Sequence, residues 1–182
     1  MTLGTSLPYG LRDVKLTPYT NDSGTTLGTP VDLPNSRTLS FSEAEEFTEL
    51  RGDDKVVTTR GQGASVEWDL EAGGLSFGAL KVLGGGTVVE TGVTPSQKKT
   101  YTKKATDARP FFQIEGQIIS DSGGDLHCVL PRCRTTGNIE GEFSDGNFFL
   151  TSGSGAALPS LKTGALDVLY EFVQNEVATA IV

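Results

Sequence analysis

Few side chains in this sequence could carry out acid–base or nucleophilic chemistry. His127 is the only histidine, and it alternates with Leu126 and Cys128 in a strand pattern that predicts a side chain facing solvent or a neighbour. A general base needs a nucleophile beside it, but no G-x-S-x-G motif occurs. Ser154, between two glycines, is interpreted as part of a flexible link. We therefore expect no catalytic residues and no enzyme.

Two short motifs could suggest a ligand. Gly84-Gly85-Gly86 is rich in glycine like a phosphate loop, but it lacks the lysine and follows a helix pattern, so we interpret it as a helix stop. Arg51-Gly52-Asp53 matches an adhesion tripeptide and is interpreted as the tip of a hairpin. The sequence predicts no cofactor.

Charged residues form two opposed blocks. The acidic block has oxygen ligands for a divalent cation, but its spacing matches no metal-binding loop, so we expect a solvated or interfacial acidic face and no metal. The basic block is complementary to it, which suggests a contact between copies of the chain. Reversing Lys103 and Lys104 to glutamate is expected to impair self-assembly without unfolding the subunit. The predicted contact residues are Glu43, Glu45, Glu46, Glu49, Arg51, Asp53, Asp54, Lys98, Lys99, Lys103, Lys104 and Arg109.

Composition limits the classes of function. The 182 residues fit a single domain, and 23 glycines with a modest apolar fraction suit a β-rich protein with many turns. The net charge of −8 argues against binding nucleic acid through its phosphates. No signal peptide or membrane-spanning run is evident, so we expect a soluble protein.

The two cysteines, Cys128 and Cys133, are expected to be free thiols in a reducing cytoplasm. Their odd separation predicts opposite faces of a regular strand, a pattern that Pro131 could disturb. Two thiols and one histidine are too few for most zinc sites.

The clearest element patterns lie between residues 63 and 86. Ala64, Val66, Trp68 and Leu70 alternate with polar residues, which predicts a strand with one apolar and one acidic face. A helical spacing follows over about residues 74–84, and glycines end it. Similar patterns predict a mainly β fold, a sandwich or barrel of antiparallel strands with one short flanking α-helix and extended loops or arms.

The remaining segments complete a single domain over residues 1–182. We predict an N-terminal arm at 1–10, a first strand at 11–19, a long hairpin at 37–60, an exposed strand at 98–106 and a hairpin turning at 121–125. Another hairpin is predicted from residues 139–143 and 148–151. A flexible link at 152–155 and a closing strand at 167–173 occupy the C-terminal region, residues 152–182.

The order of these elements resembles that of phage major tail proteins, over most of the chain. The likeness is carried by residues 66–75 running into 79–86, by 111–117 through the turn at 121–125, by 141–149, and by 9–14. It is nearest to the subunits of long, non-contractile tails of phages that infect actinobacteria.

The resemblance implies sixfold rings that stack into a hollow tube, the tail tube of a virion assembled in the host cytoplasm. The tube conducts DNA from capsid to host without binding it, and its partners are further copies, the tape measure, the tail terminator and the distal tail protein, with no membrane. An acidic bore would keep the duplex from sticking. The candidates for lining it are Glu67, Asp69, Glu115, Glu140, Glu142 and Glu171.

Three other classes stay open. A carbohydrate- or ligand-binding β-sandwich module would display clustered exposed aromatic residues. A secretion-type tube would share the architecture and differ in genomic setting. A carboxylate-based enzyme on a β scaffold would need paired acids in a dry cleft.

Overall fold

Strand pairing dominates the structure, a computed structural model that describes residues 4–21 and 23–181. Its elements, in chain order, are β1 (Pro8–Pro18), β2 (Val31–Asp32), β3 (Ser36–Gly52), β4 (Lys55–Gly73), α1 (Phe77–Gly84), β5 (Thr87–Thr91), β6 (Lys98–Thr102), β7 (Phe112–Ser120), β8 (Asp125–Thr135), β9 (Leu150–Ala157) and β10 (Glu171–Asn175).

The main sheet is antiparallel and has the strand order β2-β1-β7-β8-β9-β4-β3, with β10 pairing to β8 beside β9. β5 and β6 form a separate two-stranded sheet. β1 and β3 do not pair, yet they pack against each other. The main sheet is therefore curled. The predicted mainly β fold with one short helix is confirmed.

β4 supplies much of the core, as its alternation predicts. Val66, Trp68 and Leu70 are buried, whereas Glu67 and Asp69 on the opposite face are exposed. Val82 and Leu83 of α1 are buried in the same cluster, and α1 packs against β1, β2 and β8. Burial of these side chains is the main source of stability.

α1 is shorter than predicted at its N-terminal end because Ser76 is extended and caps it. The Ser76 hydroxyl accepts a hydrogen bond from Ala79 N at 3.2 Å. The predicted glycine stop is confirmed: Gly85 has a φ of 77°, and its N–H donates to the Lys81 carbonyl at 2.9 Å.

The long hairpin predicted at 37–60 is present and extends further, since β3 and β4 pair from Ser36 to Ala72. Asp53 and Asp54 form its turn with φ values of 51° and 63°, the conformation that favours tight two-residue hairpins. Arg51-Gly52-Asp53 therefore lies at the hairpin tip, as predicted.

The flexible link predicted at 152–155 is wrong, because these residues lie in β9, between β8 and β4. The small side chains are required by packing. A Cβ at Gly155 would meet Trp68 Cζ2 at 2.8 Å and collide with the Arg134 carbonyl oxygen. A Cβ at Gly153 would meet Leu83 at an ordinary contact distance of 3.4 Å.

The hairpin predicted from residues 139–143 and 148–151 is also wrong. Residues 139–149 form no strand, and β9 begins only at Leu150. Phe143 packs on Phe149 with ring centroids 5.1 Å apart, so the apolar alternation there reflects a contact inside a loop. β9 pairs instead with β8 and β4.

Both chain ends differ from the predicted boundaries. Residues 8–10 of the predicted arm belong to β1, and Leu7 N donates to Ser120 Oγ at 3.0 Å. Residues 1–3 of the arm and Val182 lie outside the described residues. The closing strand begins at Glu171, four residues later than predicted, and pairs with β8.

β8 contains a bulge opposite Phe112 and Ile114, which pair with Cys133 and Leu130. The extra residue resets the alternation, so Cys128 and Cys133 are both buried despite their odd separation. Both thiols are free, as predicted. Burial raises the pKa of Cys128 to about 11 and also raises that of Cys133.

Candidate assembly interfaces

The distal part of the β3–β4 hairpin extends away from the core. In residues 44–63, which we call the projecting hairpin, almost every side chain is exposed on both faces. These include large apolar side chains: Phe47, Leu50 and Val57 are 63%, 60% and 64% exposed. β3 is also the end strand of the sheet, so its outer edge pairs with no described strand. A long unpaired edge that exposes apolar side chains favours pairing with another chain.

The predicted acidic contact residues lie along β3 and its turn. Glu43 accepts a hydrogen bond from the Tyr170 hydroxyl at 2.8 Å, and Glu49 pairs with Arg51 at 2.8 Å. Within the described residues, the other carboxylates of this set form no ion pair: Glu45, Glu46, Asp53 and Asp54.

The predicted basic residues do not form one free surface. Lys99 on β6 pairs with Glu90 on β5 at 2.7 Å. After β6, the Lys103 ammonium donates to the Asp107 carbonyl, and Lys104 N donates to the Asp107 carboxylate. The side chain of Lys98 is exposed.

Arg109 is held by backbone carbonyls near the end of β8. Its guanidinium Nη1 donates to the carbonyl oxygens of Thr135 and Gly137, at 3.1 and 2.7 Å. Its position therefore depends on the end of β8 and the loop that follows.

The acidic face of β4 is open. Glu67 lies between Ser42 on β3 and Ala156 on β9, and Asp69 between Ser40 and Ser154. These small neighbours leave both carboxylates exposed at the surface.

Glu71, which the sequence analysis missed, continues this row and pairs with Arg37 at 3.1 Å. Glu140 and Glu142 line an open cleft of about 1120 Å³ beside Glu71. Four of the six predicted bore-lining carboxylates therefore lie on or next to the β4 face. The period-two spacing that selected Glu67 and Asp69 also includes Glu71.

The other two candidates are elsewhere. Glu171 on β10 is exposed opposite Val129. Glu115 on β7 is only one-fifth exposed, and its Oε1 lies 2.9 Å from His127 Nδ1. Glu115 is therefore part of a polar network within the subunit.

His127 is buried, so of the two predicted surroundings, solvent or a neighbour, the structure shows a neighbour. Its Nε2 lies 3.0 Å from both Asp125 Oδ2 and the Thr179 carbonyl oxygen. Burial lowers the pKa of His127, but the hydrogen bonds and charges of Glu115 and Asp125 outweigh this and raise it. Since acceptors face both ring nitrogens, the imidazolium is the form that satisfies them.

Asp125 is fully buried at the centre of this network. Its carboxylate accepts hydrogen bonds from Gln117 Nε2 at 2.6 Å, Asn175 Nδ2 at 2.8 Å and Thr179 N at 2.8 Å. Burial alone would raise the pKa of Asp125, but these donors and His127 hold it well below its usual range.

The same network holds residues 176–181 in place. Residues 176–181, the C-terminal segment, cover β7 and β8 through Thr179, and the Lys15 ammonium donates to the Ile181 carbonyl. Sequence spacing places Asp125 and His127 on one strand face, but only the fold shows that the C-terminal segment covers them.

Other features bear on metal and membrane binding. Across residues 4–21 and 23–181, no three His, Cys, Asp or Glu side chains are grouped to hold a metal ion. In the same part of the chain, no helix has the length and apolar character needed to span a bilayer. Comparisons with protein-family models and with curated protein sequences found no match.

Proposed function

We propose that this protein is a structural subunit that polymerises through the projecting hairpin, as stacked six-membered rings that form the tail tube of a phage with a long, non-contractile tail. The observation that carries the proposal is the exposure of the projecting hairpin. A two-stranded hairpin is at best marginally stable in water, and this one exposes Phe47, Leu50 and Val57. Burial against a second copy would stabilise it.

The acidic face supports a role in conducting DNA. Glu67 and Asp69 are exposed on a row with Glu71, in a protein of net charge −8. If this face lines the bore, the carboxylates repel the phosphates of the duplex and keep it from adhering. Ring closure requires a heterologous interface, in which the hairpin of one copy meets a different surface of the next.

The test compares the wild type with a variant whose hairpin is shortened. Glu45 and Ala64 are directly paired, so residues 46–63 can be replaced by Asn-Gly, which closes a two-residue turn. Sedimentation velocity over a range of concentrations, with negative-stain microscopy, should show rings or tubes for the wild type and a folded monomer for the variant. A wild type that stays monomeric at every concentration would contradict the proposal.

A ligand-binding module is the second candidate, favoured by the open cleft beside Glu71. Phe148 is 93% exposed, and Glu140, Glu142 and Asn147 line the same cleft. An aromatic ring among polar groups is a common arrangement for binding sugars. This function would be favoured if the wild type does not assemble but binds a glycan on an array, and if Phe148→Ala abolishes that binding.

A further inference from the structure

Two arginines at the end of β8 stack on one aromatic ring, and a third arginine is hydrogen-bonded to one of them through its backbone carbonyl. The guanidinium carbons of Arg132 and Arg134 lie 4.4 and 5.0 Å from the centre of the Phe111 ring. Arg134 Nε donates to the Arg109 carbonyl at 3.1 Å. We call Arg109, Phe111, Arg132 and Arg134 the arginine cluster.

The positive charges of this cluster are not balanced locally. Among residues 4–21 and 23–181, no carboxylate lies within salt-bridge distance of any of the three arginines. Backbone carbonyls accept some of the N–H groups: Arg109 donates to Thr135 and Gly137, Arg134 to Arg109, and Arg132 Nη1 to Pro159 at 3.5 Å. Arg132 Nε is buried, whereas the Arg134 side chain is exposed, so the terminal N–H groups of Arg134 are available to an acceptor from outside.

The geometry of the cluster is already fixed. Stacking on Phe111 restricts two guanidinium groups, and the hydrogen bonds to backbone carbonyls restrict Arg109. Arginines held in this way lose little conformational entropy when a carboxylate binds, and each can bind one through two parallel hydrogen bonds.

We propose that the arginine cluster is the docking site for the projecting hairpin of a second copy of the chain. The projecting hairpin contains five carboxylates and three cationic side chains, so its own net charge is negative. Four of the five carboxylates form no ion pair in the described residues. Its exposed apolar side chains would also cover Phe111. The inference rests on the proposed self-assembly and adds the surface that receives the hairpin.

Charge reversal on each side tests the contact. Arg134 and Glu46 are both exposed, so R134E and E46R change the charge by equal and opposite amounts with little risk to folding. We expect R134E and E46R each to raise the concentration needed for assembly by roughly tenfold or more. The double variant should assemble at a concentration close to that of the wild type. K162E, which makes the same charge change on an exposed loop, is the matched control and should assemble normally.

A photo-crosslinking amino acid in place of Thr136, next to the cluster, identifies the partner directly. Mixing isotopically labelled and unlabelled copies separates links between chains from links within one. Mass spectrometry should find links between chains that end in residues 44–63. Links to any other segment overturn the inference, and so does an R134E variant that assembles like the wild type. If R134E assembles normally but is no longer retained on an immobilised oligonucleotide that retains the wild type, the cluster binds nucleic acid and the inference is also overturned. Failure of the wild type to assemble would instead overturn the proposed function.

Discussion

The Thr179 amide donates a 2.8 Å hydrogen bond to Asp125, although 54 residues separate them along the chain. This bond, with those from Gln117 and His127 to the Thr179 carbonyl, attaches the C-terminal segment to the β7–β8 hairpin. A fully buried carboxylate is stable only with such donors, because burial without them is strongly unfavourable.

Replacing Asp125 with asparagine should destabilise the fold. The amide presents an N–H₂ group to donors that need an acceptor, and it leaves the His127 imidazolium without one partner. We expect a loss of about 3 kcal/mol in the free energy of unfolding. Urea titration measures it, with Asp121→Asn in the exposed turn as the control. Equal stability of the two variants would show that the network contributes little.

Stability should fall as pH rises past the ordinary range of histidine. The pKa of His127 is raised in the folded protein, so its contribution is fully present below about pH 6.5 and is lost as pH rises through the folded-state pKa. Urea titrations from about pH 6 to pH 9 should show this decline in the wild type and a smaller one in His127→Gln. An equal decline in the wild type and in His127→Gln would show that other groups cause the loss of stability.

Gly155→Ala should be much less stable than Gly153→Ala. The added methyl group at residue 155 meets Trp68 and the Arg134 backbone, whereas at residue 153 it makes ordinary contact with Leu83. We expect a loss of about 3 kcal/mol for the first and less than about 1 kcal/mol for the second. Fluorescence of Trp68, the only tryptophan, reports both unfolding transitions.

These two glycines also illustrate what sequence reasoning can and cannot recover. The β4 alternation around Trp68 identified the core face and the acidic face, because period-two patterning is a local signal. β9 has no such signal, since its side chains are small to accommodate Trp68 and Leu83. Its identity as a strand depends on contacts between segments distant in the chain.

The candidate surfaces also differ in how far the sequence could predict them. Glu67 and Asp69 could be identified because they share one face of one strand. Arg134 contacts Arg109 only through a hydrogen bond to its backbone carbonyl, and the contact of His127 with Thr179 depends on how the C-terminal segment packs on β7 and β8. Neither arrangement has a spacing that a single sequence reveals.

The native thiols should react slowly. With a pKa of about 11, Cys128 has only about 0.1% thiolate at pH 8, and Cys133 is fully buried. An aromatic disulfide reagent should label neither cysteine in minutes under native conditions and both after denaturation. Rapid labelling of the native protein would contradict the burial of β8.

The most direct test of the account is cryo-electron microscopy of the concentrated protein. Assembly through the projecting hairpin predicts hollow rings or tubes, in which the hairpin is buried between copies and Glu67 and Asp69 face the bore. Particles that remain single at every concentration, or a bore lined by the arginine cluster, would contradict it.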